Sequence, residues 1–289
     1  MNVKYQIVKQ FLKLVPINKL PQNRWGDKIW SLKRFIQVHK RLPTKLPIYN
    51  DVLFNIKTSD EIIDPLRVFT TDKEFVKLFV KAVIGEKYNV PTLAVLHSTE
   101  DVSAYDFPKN CCIKPTHASG EVIFFKEDNM QIDMSKIQEW FDLNYYLLPR
   151  ERNYKLLKPK IIVEPLIFNS ENPSDYKIFC FNGKPKMVQV NLNRYSNHSR
   201  NFYDIQWNEM DFSMLPLKKA ENVKKPENLN ELLEISEKLS SYFSSLVRID
   251  LYTNEKEILV GEITHCSENA LSIFSPVNAE MDASKLIFS

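Results

Sequence analysis

The chain has 289 residues, a formal net charge of +3, 44% apolar and 26% charged residues, the composition of an ordinary globular protein with one large domain or two to three lobes. No apolar run approaches the roughly 20 residues that span a bilayer, no secretory signal is recognisable, and the charge is too small to imply nucleic acid, so the expectation is a cytoplasmic protein without a nucleic-acid partner. Four cysteines, at 111, 112, 180 and 266, have neither disulfide-framework nor metal-ligand spacing, which fits a reducing compartment.

In chain order, the first fifty residues carry many cations, Lys4, Lys9, Lys13, Lys28 and Arg34 among them, against the single acid Asp27, with Phe11, Leu12, Trp25, Trp30 and Phe35 interleaved. They read as two amphipathic helices around the turn Pro16 to Gln22. Such a segment suits peripheral contact with the anionic inner surface of a membrane, or a polyanionic substrate, and equally a basic outer face on packed helices. From Thr71 or Asp72 as cap, Phe75, Leu78, Phe79, Ala82 and Val83 predict a helix ending at Gly85, with Lys73 in its first turn. A strand at Thr92 to Leu96 precedes Cys111-Cys-Ile-Lys-Pro115, which aims Lys114 away from Ile113. The small-residue loop Thr116-His-Ala-Ser-Gly120 then leads to the apolar run Val122 to Phe125. This is either a lysine-led phosphate loop with exposed backbone N–H groups or a plain hairpin with a Ser-Gly turn. With five glycines in the whole chain, any phosphate loop must be minimal.

A helix at Met134 to Asn144 and a basic loop from Arg150 to Lys160 lead to the strand Ile161 to Ile167, where Glu164 interrupts an apolar run. Ser174 to Phe181 and Lys184 to Leu192 form a hairpin about Asn182-Gly183, with Asp175 and Lys177 on one face. Asn193 to Arg200 reads as loop, Phe202 to Trp207 as strand, and Pro226 to Phe243 as a helix with Leu229, Leu232, Leu233, Ile235 and Leu239 inward. A last hairpin pairs Val247 to Tyr252 with Ile258 to Thr264. Its acids Asp250 and Glu262 share a face only if the turn leaves an odd number of residues unpaired. With Tyr252 opposite Ile258, for instance, Asp250 faces Val260 and Glu262 is its diagonal neighbour, roughly 7 Å away. That arrangement suits either a cation between carboxylates or a solvated polar face.

The order Asp72-Lys73, Lys114 with Ser119-Gly120, Glu164, Asp175-x-Lys177, Asp250 to Glu262 resembles the ATP-grasp superfamily. Thr71-Asp-Lys-Glu-Phe-Val-Lys77, Ile113 to Gly120, Asp175 to Pro185, Asn201-Phe-Tyr-Asp204 and Val247 to Tyr252 resemble its TupA-like branch, associated with teichuronopeptide and other bacterial cell-surface polysaccharides. The likeness runs from about Phe69 to Thr264. It implies an α+β fold with two α+β lobes clamping a nucleotide, behind a mainly helical, basic N-terminal region. The implied division is 1–70 for that region, 71–108 and 109–166 for the first part and small lobe, and 167–289 for the large lobe. ATP and Mg2+ are the implied cofactors. Lys73 and Lys114 would neutralise phosphates under Ser119 and Gly120, with Asp175 in the same set. Glu164 would begin the connection that holds adenine, and because Pro165 has no N–H the donor would be Leu166. Lys177 would reach the γ-phosphate, and Asp250, Glu262 and Thr264 would hold the metal.

The implied reaction is ligation through an acyl phosphate. It would join an amino-acid or amine co-substrate to a uronic-acid-type carboxylate on a polysaccharide or nucleotide-sugar precursor. Arg248, Arg200 and Arg194 are candidates for the carboxylate, Arg248 foremost, and His198 for the amine's proton. Two positions depart from the pattern: Glu121 replaces a second loop glycine, and Thr264 replaces a metal-ligating asparagine. A non-catalytic nucleotide- or polysaccharide-binding module and an ATP-dependent sugar kinase are the alternatives.

Overall fold

A computed structural model describes residues 3–126, 131–170, 173–193 and 197–289. In chain order it has α1 (Val3–Leu14), α2 (Arg24–His39), α3 (Tyr49–Thr58), α4 (Pro65–Thr71), α5 (Phe75–Val83), β1 (Ala94–Leu96), α6 (Thr99–Ala104), β2 (Cys111–Pro115), β3 (Ile123–Phe125) and α7 (Met134–Asp142). There follow β4 (Ile161–Pro165), β5 (Asp175–Phe181), β6 (Lys184–Leu192), β7 (Ser199–Asp204), β8 (Ser213–Met214), α8 (Leu229–Ser240), β9 (Leu246–Thr253), β10 (Ile258–Thr264), β11 (Phe274–Ser275) and α9 (Ala279–Phe288). Among the described residues no helix is long and apolar enough to cross a membrane.

Local chemistry sets most boundaries. Asn23 caps α2 by accepting the Gly26 N–H, and Asp64 caps α4 ahead of Pro65. Thr71 ends α4 instead of starting α5; Asp72 accepts the Glu74 N–H ahead of α5. The inward stripe of α5 is Val76, Phe79 and Val80, whereas Leu78 is 55% exposed and Ala82 faces solvent. The stripe that meets the large sheet is thus rotated from the one expected, because 76, 79, 80 and 83 keep helical spacing while 78 falls off it. In α8, Leu229, Leu232, Ile235 and Leu239 are buried and Leu233 only partly so.

Two antiparallel sheets carry the fold: a four-stranded one in the order β1-β4-β2-β3, backed by α7, and a five-stranded one in the order β10-β9-β5-β6-β7. One face of the larger sheet, with Tyr176, Ile178, Val188, Val190, Ile249 and Leu251, packs under α5 and α8. The opposite face is divided along its strands. Phe179, Met187, Phe202 and Leu246 pack against α3 and α9 through Leu53, Phe54, Ala283 and Ile287. Burial of each of these side chains other than Ala283 contributes about 1.5–3 kcal/mol. Beyond that apolar end the same face turns polar, with the cross-strand row Glu262, Asp250, Lys177, Gln189 and the neighbouring row Asp175, Asn191, Arg200. Arg200 is therefore on strand β7, which spans Ser199–Asp204, not in the loop the sequence suggests, and Trp207 lies beyond the strand.

Candidate functional site

Two adjoining cavities, of about 410 and 100 Å³, lie where the polar face meets the small sheet, and Lys73, Ser119, Lys177 and Glu262 wall both. Lys114, Gly120, Glu164, Asp250 and Tyr252 line only the smaller; Arg200, Arg248, Thr264 and His198 line only the larger.

On the small-sheet side, Lys73 donates to the carbonyls of Pro115 (3.1 Å) and Ala118, so its ammonium is fixed against the 116–120 loop. Burial lowers its pKa, opposed chiefly by Glu262. Asp72 anchors this junction through Thr116 and Lys160. Gly120, at φ +86, supplies the left-handed turn of the loop. Glu121 turns toward α7, where it meets Lys136 at 3.1 Å and the Trp140 indole N–H at 3.3 Å. Glu164 is explained by its partners: its two oxygens take Lys77 at 2.6 Å and Lys114 at 2.8 Å. Burial alone would raise its pKa, but Lys114 and Lys77 outweigh it and hold the carboxyl at about 2. Lys77, which the sequence marks only as the last residue of the Thr71–Lys77 motif, lies inside α5, whereas Lys73, expected in the first turn of that helix, precedes it. Leu166 differs from expectation. Its N–H donates to the Asn110 carbonyl at 2.8 Å and it lines neither cavity, because the strand end is held in the sheet's own hydrogen bonding.

On the large-sheet side, the acids share a face for a reason other than the turn. Thr253 pairs with Ile258, an even loop of four, which by itself would place Gly261 opposite Asp250. A bulge at Gly261 shifts the register, so Glu262 stands directly opposite Asp250 and Thr264 opposite Arg248. A Cβ on Gly261 would come within 2.7 Å of the Tyr252 ring, so glycine is what the bulge and the ring accommodate together.

Asp250 is clamped on both oxygens: Arg248 Nε donates to Oδ1 at 2.6 Å, Arg248 Nη2 to Oδ2 at 2.7 Å, and Lys177 also reaches Oδ2. Lys177 is held from its other side by Asp175 at 2.9 Å. Arg248 completes its fork with Thr264 Oγ1 (3.0 Å), Glu262 Oε1 (3.4 Å) and Ser267. Its guanidinium is thus committed to the protein, which argues against Arg248 as the foremost candidate for a substrate carboxylate. Arg200 is less committed: Nε donates to Asn191 at 3.0 Å, Nη1 meets Glu268 at 3.4 Å and Met214 Sδ at 3.5 Å, and Nη2 has no partner among the described residues. His198 lines the cavity. Arg194 lies outside the described residues.

Glu262, 38% exposed at the cavity wall, accepts from Thr264 Oγ1 at 2.9 Å. Enclosure would raise its pKa, but Lys177, Arg248 and Lys73 hold it at about 2, so it is a carboxylate throughout the physiological range. Its Oε2 has no partner among the described residues. Among those residues no three His, Cys, Asp or Glu side chains form a metal cluster. Of the two carboxylates and one hydroxyl, only Glu262 Oε2 is open; Asp250 and Thr264 would have to exchange Lys177 or Arg248 for a hard cation, which would draw its remaining ligands from phosphate and water and not from an all-protein cage.

The segment from Tyr145 to Tyr154, with Glu151 and Asn153, lines the larger cavity, although its sequence stands out only as a basic loop. The one signal there was an acid alone in a basic stretch.

The family model described as TupA-like ATPgrasp matches residues 54–284. No curated protein matches the chain. Solved structures similar to it include D-alanine-D-alanine ligase from Helicobacter pylori, at 17% identity and TM-score 0.41, covering 76% of this chain and 62% of that one. The corresponding ligase from Bacillus anthracis gives 15% identity, TM-score 0.44 and coverages of 76% and 64%. N5-carboxyaminoimidazole synthetase from Staphylococcus aureus gives 12%, 0.39, 71% and 46%. The chain spans less than two-thirds of the length of each, and at these scores the likenesses add no argument to the family match.

Proposed function

The chain belongs to the TupA-like ATP-grasp family, and from that premise we propose that it is an ATP-dependent carboxylate–amine ligase acting on a uronic-acid-type carboxylate of a surface-polysaccharide precursor. One observation carries this reading: the two cavities meet at Lys73, Ser119, Lys177 and Glu262, so a polyanion in the smaller opens directly onto an acceptor in the larger. Lys73 and Lys114 neutralise phosphate oxygens, and the 119–120 backbone closes over them. Lys177, steadied by Asp175, follows the γ-phosphoryl group as an acceptor carboxylate oxygen attacks phosphorus and ADP departs. Arg200 orients that carboxylate from the larger cavity, and the Arg248 fork keeps Asp250 and Glu262 aligned. Asp250, Glu262 and Thr264 are the residues that would hold Mg2+, whose chemistry when bound is neutralisation of phosphate charge. An amine then displaces phosphate from the acyl phosphate. Peripheral membrane contact belongs to the same proposal: Ile7, Phe11 and Leu14 are 62%, 58% and 83% exposed on one side of α1, among lysines.

The test is ATP-dependent phosphate release from a panel of glucuronate, galacturonate and their UDP esters, each with and without amino acids and simple amines, followed by product mass. Release that requires both partners, with a product lighter by one water than their sum, is the expected outcome. A phosphosugar formed without amine would make the protein a kinase, and saturable nucleotide binding without turnover would make it a binding module.

A further inference from the structure

The segment from Tyr145 to Tyr154 is held in place by the N-terminal helices. Arg150 donates to Asp27 at 3.2 Å and to the carbonyls of Leu20 and Pro21 at 3.3 Å; Arg152 donates to Asp60 at 3.3 Å and to the Ser59 carbonyl. Tyr146 adds a 2.6 Å hydrogen bond to Asp27. The cations on either side of Glu151 are therefore committed elsewhere. Glu151 itself is 7% exposed and lines the larger cavity; its backbone carbonyl accepts the Tyr154 N–H, but its carboxyl makes no hydrogen bond or ion pair with any described residue. Burial pushes its carboxyl above the usual range, with Lys57 the opposing charge. Lys57 is in turn engaged with Asn269 Oδ1 and lies 4.7 Å from the centre of the Trp30 ring.

One neighbour shares this incompleteness, and two aromatic rings stand beside it. Asn153 donates through Nδ2 to Thr71 at 3.0 Å, but its Oδ1 is buried without a partner. The rings of Tyr145 and Tyr154, 4.7 Å apart at 63°, line the same cavity. A desolvated carboxylate, an orphaned amide oxygen and two aromatic rings are all electron-rich, and none offers the charge to bind an anion. The ligand that satisfies them together is positive and carries N–H donors.

Resting on the ligase reading above, we propose that this part of the larger cavity is the site of the amine co-substrate, taken up as a primary ammonium, with Glu151 receiving the proton that frees its lone pair. The neutral amine attacks the acyl carbon and the C–N bond forms. The C–O bond to phosphate breaks with its electron pair leaving on phosphate, and the second N–H proton passes to phosphate or water. Besides Lys57, the titratable groups facing Glu151 are Tyr145, Tyr154 and Cys266, all kept neutral by burial.

The experiment uses ethylammonium as probe with the full chain, its binding read by saturation-transfer NMR near neutral pH, alongside Mg-ADP affinity as a check of folding. Ethylammonium is expected to bind the wild type saturably, at least about tenfold more weakly after Glu151→Gln, and about threefold more weakly after Glu151→Asp, which keeps the charge but withdraws it. Mg-ADP affinity is expected to stay the same in all three. Absence of saturable binding to the wild type overturns the proposal. So does undiminished binding in whichever variant still takes Mg-ADP. The ligase reading fails separately, if Glu151-dependent ethylammonium binding stands while no carboxylate and amine pair releases phosphate.

Discussion

At the smaller cavity Glu164 joins Lys77 to Lys114 and Asp250 joins Lys177 to Arg248, whereas in the larger cavity the Glu151 carboxyl is nearly as buried and forms no ion pair, with Lys57 the opposing charge near it. The first arrangement is a charge network satisfied before any ligand arrives; the second is complete only with one. Buried charges in a satisfied network hold the fold, and their removal leaves a partner stranded. A buried carboxylate with no hydrogen bond or ion pair burdens the fold and marks a candidate ligand site. The two regions should therefore respond oppositely to loss of a carboxylate.

The largest response is expected at Asp250. Asp250→Ala strands Arg248 and Lys177, both nearly buried, and should cost about 3–5 kcal/mol in chemical denaturation, with nucleotide-dependent turnover lost as well. A cost below about 1 kcal/mol would mean that the network does not support the sheet. Glu164→Gln comes next, at about 2 kcal/mol, because Lys114 and Lys77 keep 26% and 14% of their side-chain exposure and recover some hydration. Here pH supplies the sign. The folded carboxyl titrates at about 2, below its unfolded value of about 4.3. Its contribution is therefore complete above pH ~4.3 and is lost as pH falls toward 2. Wild type and Glu164→Gln should converge over that window.

Most of this region was legible in the sequence, because strand alternation and the Asp-x-Lys pattern report which residues share a face. The alternation at Asp175 and Lys177, and the Asn182-Gly183 turn at φ 49 and 75, reappear directly in β5 and β6. Hydrogen-bond commitments were not legible. Nothing local distinguishes an arginine free to bind substrate from one, such as Arg248, spent on its neighbours, or shows that the Leu166 N–H would find Asn110. Glu151 was hidden for a deeper reason. Its isolation depends on Arg150 and Arg152 being drawn to Asp27 and Asp60, more than ninety positions earlier in the chain. Only the folded packing of the N-terminal helices turns a basic loop into an acidic pocket wall.

Register was the other hidden quantity, and Gly261→Ala tests it. The new Cβ meets the Tyr252 ring at 2.7 Å, and the ring must shift or the bulge must relax. A cost of about 1 kcal/mol is expected, with a larger proportional fall in Mg-dependent nucleotide affinity, since relaxing the bulge moves Glu262 away from Asp250. Unchanged nucleotide affinity would separate the bulge from the function of the acid pair.

The smallest effect on stability, and the sharpest contrast with Asp250, is expected from Glu151→Gln. Burial raises the folded pKa of Glu151, so the wild type is destabilised as pH rises from about 4.3 through that raised value, the reverse of Glu164. Replacing the carboxylate by a neutral amide removes this penalty while withdrawing the charge that partly offsets buried Lys57. The net should fall between no change and a gain of about 1 kcal/mol, growing with pH across that interval. Thermal or urea denaturation of both proteins over pH 5 to 8 measures it. A loss comparable to that of Asp250→Ala would place Glu151 in a structural network like the one around Asp250. A gain accompanied by weaker ammonium binding would show a group kept at the expense of stability because the ligand completes it.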